Sequence, residues 1–176
     1  MKSKRLRFLL LFLAITGITL SSCKTGPSET CVKREAETNQ LEANLKMYES
    51  TWDEIVNKRK IDLINDTNFD TNITLITAPE NIIGIEDFKA YYQNYLTGFS
   101  DVQFIIVDVF GQGEKIVKHW RFKGKHTGEF FGMPATGKEI DVQGVTLVKM
   151  KEGKIAQEQD FLDNLEFMQQ LGFIAR

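Results

Sequence analysis

The chain has few of the residues that build disulfide frameworks and metal sites. It contains only two cysteines and two histidines in 176 residues. No cluster of Cys, His and acidic residues has the spacing of metal ligands, so we expect no metal and no cofactor. The Gly111–Lys115 turn is also too short for a phosphate-binding loop and is not followed by a helix, so no nucleotide site is predicted.

Positive charge is scarce outside the extreme N-terminus. The whole chain has a net charge of −2, and four of its cations lie within the first seven residues. Without those four, the remaining chain has a net charge of −6. A surface of that sign repels a phosphate backbone, so no nucleic-acid partner is expected.

The N-terminal segment resembles a bacterial lipoprotein signal. The apolar run Phe8–Leu20 follows the cations and is shorter than the roughly 20 residues that a spanning helix needs. The sequence Leu20-Ser21-Ser22-Cys23 resembles a lipobox, whose cysteine is lipidated and becomes the new N-terminus. We therefore expect a signal peptide over 1–22 and a lipidated Cys23 with a polar tether over 23–38. The protein would be a membrane-anchored lipoprotein of the bacterial cell envelope, facing the periplasm or the exterior.

Residues 39–176 have the pattern of a single α+β domain. Apolar residues recur at helical spacing over Leu41–Ile55, after a capping pattern at Asn39 and Glu42, and again over Ile85–Phe99. A short helix over Ile61–Asn65 and a strand over Asn72–Thr77 lie between them. Four further strands are predicted over Val102–Phe110, Ile116–Lys123, Ile140–Met150 and Lys154–Leu162. Helices on one face of a curved sheet leave a pocket between the layers.

Three segments carry a resemblance to a known family. Residues 124–140 read GKHTGEFFGMPATGKEI, Gly153-Lys154-Ile155 follows, and Gln169-Gln170-Leu171-Gly172 lies near the end. In this order they resemble the SnoaL-like polyketide cyclase (ester cyclase) family. The resemblance implies the nuclear transport factor 2-like fold: a curved mixed or antiparallel sheet with about three helices, which form a cone-shaped cavity. It also implies a possible homodimer through the sheet.

The same resemblance implies a catalytic carboxylate on the last long strand. Counted from Gly153-Lys154-Ile155, the matching residue is Asp160, which would act as a general acid/base next to a carbonyl. Residues two apart on a strand share a face, so Glu158 points the same way as Asp160. The alternative is that Asp160 is a solvated acid of the kind that many strands carry, or a partner for a nearby lysine. Asp163 is instead expected to cap the final helix, and Gly172 to end it.

A few other residues are candidates for the cavity. His126 shares strand parity with Trp120 and Phe122 and is a second candidate catalytic residue, but it could equally fix the 124–137 hairpin by hydrogen bonding. The candidates for lining a ligand pocket are Trp120, Phe122, Tyr92, Glu158 and Thr146.

Two departures from the family pattern bear on activity. Characterised cyclases carry Gln and His on the strand before the aspartate, where this chain has Gly144 and Thr146.

Three functions follow as expectations. The favoured one is a membrane-anchored cup that binds a small apolar or amphipathic molecule. The alternatives are a cyclase- or isomerase-type enzyme that uses Asp160, and a dimeric accessory or scaffold lipoprotein.

Overall fold

A computed structural model describes residues 28–175 of the chain. The predicted signal peptide and Cys23 lie outside the described residues. Between residues 28 and 175, no helix is both long and apolar enough to cross a bilayer. The helices are α1 (Glu29–Asn57), α2 (Ile85–Gly98) and α3 (Asn164–Leu171), with one 3₁₀ turn over Ile61–Leu63. The strands are β1 (Phe69–Leu75), β2 (Ile82–Ile83), β3 (Phe99–Gln112), β4 (Lys115–His126), β5 (Glu139–Lys151) and β6 (Lys154–Leu162).

The first helix begins at Glu29, twelve residues before Leu41, where its apolar pattern starts. The Ser28 side chain caps it by accepting a hydrogen bond from the Cys31 amide. Residues 29–40 are all exposed, so they have no apolar stripe from which a helix could be read. The predicted cap at Asn39 and Glu42 is therefore wrong, because both residues lie inside α1.

The six strands form one mixed sheet in the order β2-β1-β6-β5-β4-β3. Only the pairing of β1 with β6 is parallel. Side chains alternate between a buried and a more exposed face along β4 and β5, as expected for a sheet covered by helices on one side. The α+β fold with a curved mixed sheet and three helices is confirmed.

Aromatic side chains fill the layer between the sheet and the helices. Trp52 of α1, Phe69 of β1 and Phe88 of α2 pack with ring centroids 5.5–6.4 Å apart. Each such buried side chain contributes about 1.5–3 kcal/mol of transfer free energy. This cluster holds α1 and α2 at fixed positions over the inner face of the sheet.

The glycine-rich segment after β4 packs against the end of α2. The Gly128 amide donates to the Gly98 carbonyl at 3.0 Å. A Cβ atom at Gly128 would lie 2.1 Å from the Thr97 carbonyl oxygen, so only glycine permits this approach. The Phe130 ring then packs edge-on against Tyr95, at 5.0 Å between centroids. The segment that carries the family resemblance thus fixes the C-terminal end of α2.

Both ends of the last helix are as predicted. The Asp163 side chain caps α3 by accepting a hydrogen bond from the Glu166 amide at 3.0 Å. Gly172 follows the helix in the left-handed conformation, with φ 83°. Phe167 and Leu171 of α3 are buried, and α3 covers part of β5.

Candidate functional site

A cavity of about 170 Å³ lies between the inner face of the sheet and the helices. Its wall is mainly aromatic and aliphatic, and its charged groups are one carboxylate and one ammonium. The lining residues that carry the argument below are Trp52, Tyr91, Tyr92, Tyr95, Phe104, Lys118, Trp120, Phe122 and Asp160.

Asp160 of β6 is the carboxylate in this wall. Its Oδ1 accepts a hydrogen bond from the Thr146 hydroxyl at 2.5 Å. Its Oδ2 accepts one from the Tyr92 hydroxyl at 2.9 Å. Two neutral donors therefore hold the carboxylate in one orientation at the edge of the cavity.

Glu158 lies behind the cavity wall and is fully buried. Its Oε1 accepts hydrogen bonds from the Tyr48 hydroxyl at 2.6 Å and from the Trp52 indole at 2.9 Å. Burial raises the pKa of Glu158 to about 7, against the opposing attraction of Lys118. The negative charge of Asp160 contributes to this upward shift.

The Tyr92 hydroxyl lies between the two carboxyl groups. It is 2.9 Å from Asp160 Oδ2 and 3.1 Å from Glu158 Oε2, yet it has a single proton to donate. Both contacts are satisfied when Tyr92 donates to Asp160 and a protonated Glu158 donates to Tyr92. The contacts by themselves fit a proton on either carboxyl group, and the raised pKa of Glu158 favours Glu158 as the protonated one.

Lys118 of β4 is the ammonium group of the cavity wall. Its residue is only 3% exposed. The ammonium nitrogen lies 4.6 Å from the centre of the Trp52 ring, 5.1 Å from that of Tyr48 and 5.2 Å from that of Phe104. Burial lowers the pKa of Lys118, while the charges of Glu158 and Asp160 oppose that shift.

Hydrogen-bonded side chains support Asp160 in place of the Gln and His that characterised cyclases carry on this strand. A Cβ atom at Gly144 would lie 2.3 Å from the Trp120 ring, so the glycine makes room for this indole. The Trp120 indole N–H donates to Thr146 Oγ1 at 2.9 Å, and the Thr146 hydroxyl donates in turn to Asp160. Asp160 is therefore supported from β5 despite the two departures.

The profile of the family described as SnoaL-like polyketide cyclase matches residues 45–171. The chain belongs to the SnoaL-like polyketide cyclase family. Among solved structures, TsrD from Streptomyces laurentii superposes with a TM-score of 0.64 at 23% identity, covering 79% of this chain and 97% of that one. A SnoaL-like polyketide cyclase from Agrobacterium tumefaciens gives a TM-score of 0.59 at 17% identity, covering 72% of this chain and 95% of that one. These likenesses show the fold.

Two characterised relatives match a shorter stretch. Aklanonic acid methyl ester cyclase DnrD from Streptomyces peucetius is 39% identical over 49 residues, which is 28% of this chain and 34% of that protein. Aklanonic acid methyl ester cyclase DauD from Streptomyces sp. has the same identity over the same length, which is 30% of that protein. The chain thus spans about a third of the length of these relatives.

The SnoaL-like domain brings most of the predicted site residues together. Tyr92, Trp120 and Phe122 line the cavity with Asp160. Glu158 and Thr146 are fully buried one layer behind, hydrogen-bonded to groups that line it. Sequence reasoning missed Lys118, although alternation along β4 places it on the face of Trp120 and Phe122.

His126 of the SnoaL-like domain does not line this cavity. Its Nδ1 accepts a hydrogen bond from the Thr136 amide at 3.3 Å, so the ring proton lies on Nε2. The ring packs against Phe99 at 5.2 Å between centroids. In this position His126 ties the two ends of the glycine-rich segment together.

Within residues 28–175, no group of three or more His, Cys, Asp and Glu side chains is arranged to hold a metal ion.

Proposed function

We propose that this protein is an acid/base enzyme acting on a small carbonyl compound, with Asp160 as the group that moves the proton. The observation that carries the proposal is the Asp160 carboxylate at the cavity wall, with both oxygens held by Thr146 and Tyr92. A base oriented in this way is ready to reach a carbon next to a carbonyl. The ester cyclases among its relatives support the reaction class.

The chemistry proceeds by transfer and return of one proton. Asp160 takes the proton from the carbon, the C–H electron pair forms a C=C bond, and the carbonyl electron pair moves onto oxygen to give an enolate. The enolate carbon then attacks a second carbonyl or is reprotonated by Asp160. The apolar wall raises the strength of electrostatic contacts in the cavity, which favours this step over the same step in water.

The size of the cavity limits the substrate. A volume of about 170 Å³ is below the roughly 300–1,000 Å³ of pockets for drug-sized ligands. We therefore propose a substrate that presents a single ring or a short 1,3-dicarbonyl chain to Asp160. The multi-ring substrates of larger cavities would have to leave most of their surface outside this one.

Hydrogen exchange tests the proposal without a known substrate. Small 1,3-diketones and β-keto esters are incubated in D₂O with the full-length chain in detergent micelles, with micelles alone as the blank. We expect enzyme-dependent loss of the α-proton NMR signal at catalytic protein concentrations. A protein that only binds a small amphipathic molecule, as its aromatic wall also permits, would give saturable binding with no exchange above the blank.

We further propose that the domain is carried on a membrane by a lipidated Cys23. The lipobox-like sequence before Cys23 supports this, and acyl chains bind a bilayer without a spanning helix.

Cys23→Ser is expected to abolish lipidation and cleavage, because the sulfur atom is where the first lipid is attached. Intact-mass measurement and membrane fractionation check this. Cys31→Ser, which removes an exposed free thiol, serves as the control and should be processed normally. A Cys23→Ser protein that is still lipidated would contradict the proposal.

A homodimer through the outer face of the sheet is also proposed. Ile105, Leu147 and Phe161 are 43–50% exposed there, on three strands of one surface. Phe161→Glu would place like charges across such an interface, so we expect the mutant to be monomeric and the wild type dimeric by light scattering. Asn39→Glu on the exposed part of α1 is the control and should remain dimeric. A monomeric wild type would contradict this proposal.

A further inference from the structure

One buried cation in the cavity has no partner of opposite charge in contact. Among residues 28–175, no hydrogen bond and no ion pair within 4.0 Å joins the Lys118 ammonium to another residue. Its near neighbours are the faces of aromatic rings. Burying an ammonium in this way is costly, and a methionine would pack against the same rings without that cost. The charge is therefore better explained by something that enters the cavity.

The sheet places this cation opposite the base. Lys118 pairs with Thr146, and Thr146 pairs with Asp160, so the three residues form one row across β4, β5 and β6. Backbones two strands apart are separated by roughly 10 Å. Both Lys118 and Asp160 line the cavity, so a substrate that enters it can lie between them. A carbonyl compound held there would meet the carboxylate on one side and the ammonium on the other.

Proton transfer moves negative charge across this row. When Asp160 takes a proton, its charge passes to the substrate oxygen, and the total charge of the cavity stays the same. The attraction between Lys118 and the substrate oxygen then becomes stronger than in the ground state. Only an interaction that strengthens in this way accelerates the step.

Building on the proposed acid/base function, we propose that Lys118 binds the enolate oxygen of the substrate. The cavity would accordingly select small enols and phenols in their ionised form. Lys118 is then a second catalytic residue, on a different strand from Asp160. The lowered pKa of Lys118 and the raised pKa of Glu158 both show how strongly burial acts on charges in this region.

Binding of 4-nitrophenol tests the inference apart from turnover. This single-ring phenol has different absorbance spectra in its neutral and ionised forms, so its charge state is read while it is bound. The full-length chain in micelles is titrated across pH, with micelles alone subtracted. We expect the wild type to bind the ionised form preferentially. Lys118→Met should bind it about ten- to a hundredfold more weakly, because one charge is lost from a partly desolvated site.

Matched ligands and variants separate a charge effect from a change of shape. The methyl ether 4-nitroanisole cannot ionise, and its affinity should differ less than about threefold between wild type and Lys118→Met. Lys125→Met removes an exposed lysine from the same strand and should leave phenolate binding unchanged. The inference is overturned if the wild type binds no phenolate, or if Lys118→Met retains wild-type preference for it. If the wild type instead shows no α-proton exchange above the micelle blank, the proposed function is refuted, whatever the result with nitrophenol.

Discussion

Asp160→Asn is expected to slow α-proton exchange by about a hundred- to ten-thousandfold, the usual contribution of a general acid/base. Asparagine keeps the shape of the side chain and its carbonyl oxygen can still accept from Thr146 or Tyr92. It has no basic oxygen with which to take a proton. Affinity for a neutral ligand should therefore change little, so the effect falls on turnover and separates binding from chemistry.

The neighbouring Asp163 supplies the control for this experiment. Asp163→Asn makes the same chemical change three residues away, and asparagine caps a helix about as well as aspartate does. We expect this variant to exchange protons at the wild-type rate, as NMR measurements on the purified proteins would show. Full activity in Asp160→Asn would refute the role of Asp160.

Glu158→Gln is expected to change how the free energy of unfolding depends on pH. The pKa of Glu158 is raised from 4.5 to about 7 in the folded protein, mainly by burial. The fold favours the neutral carboxyl, so Glu158 makes its full contribution to the free energy of unfolding below pH 4.5. As the pH rises from 4.5 to about 7, the carboxyl ionises in the unfolded chain before it ionises in the fold, and the free energy of unfolding falls. This loss is on the order of 3 kcal/mol.

Glutamine cannot ionise and should remove that pH dependence. Its carbonyl oxygen can accept from Tyr48 and Trp52, and its amide can donate to Tyr92, as a protonated Glu158 does. Denaturant unfolding of wild type and variant from pH 5 to pH 8 gives the comparison. We expect the variant to be the more stable of the two at pH 8.

The exposed Glu139 of β5 provides the matched control. Glu139→Gln should follow the wild-type pH curve, because this carboxyl is solvated in both states. Curves for wild type and Glu158→Gln that run parallel over the whole pH range would show that Glu158 ionises normally in the folded protein.

Strand parity allowed much of the site to be predicted. Alternation along β6 correctly placed Glu158 and Asp160 on one face, and alternation along β4 did the same for Trp120 and Phe122. Such patterns are local, so a single sequence is enough to read them. The start of α1 was missed because its first turns are exposed on every side.

Contacts between distant residues could not be predicted in the same way. Tyr48 has the spacing of a core residue, but the partner of its hydroxyl is 110 residues further along the chain. Nothing in the local pattern distinguishes a tyrosine that only packs from one that donates to a buried carboxyl. Lys118 was missed for a related reason, since a lysine on a strand is usually solvated and its burial depends on α1.

The indole of Trp120 occupies the space that a side chain at Gly144 would need. The two positions therefore share one volume, and neither can change size independently. Restoring the family's glutamine at 144 would require a smaller residue at 120, with loss of the indole that donates to Thr146, and a shift of the Phe161 carbonyl oxygen, which would lie 2.7 Å from the new Cβ atom. In related sequences we expect the pair to be exchanged together, so that a large residue at either position accompanies a small one at the other.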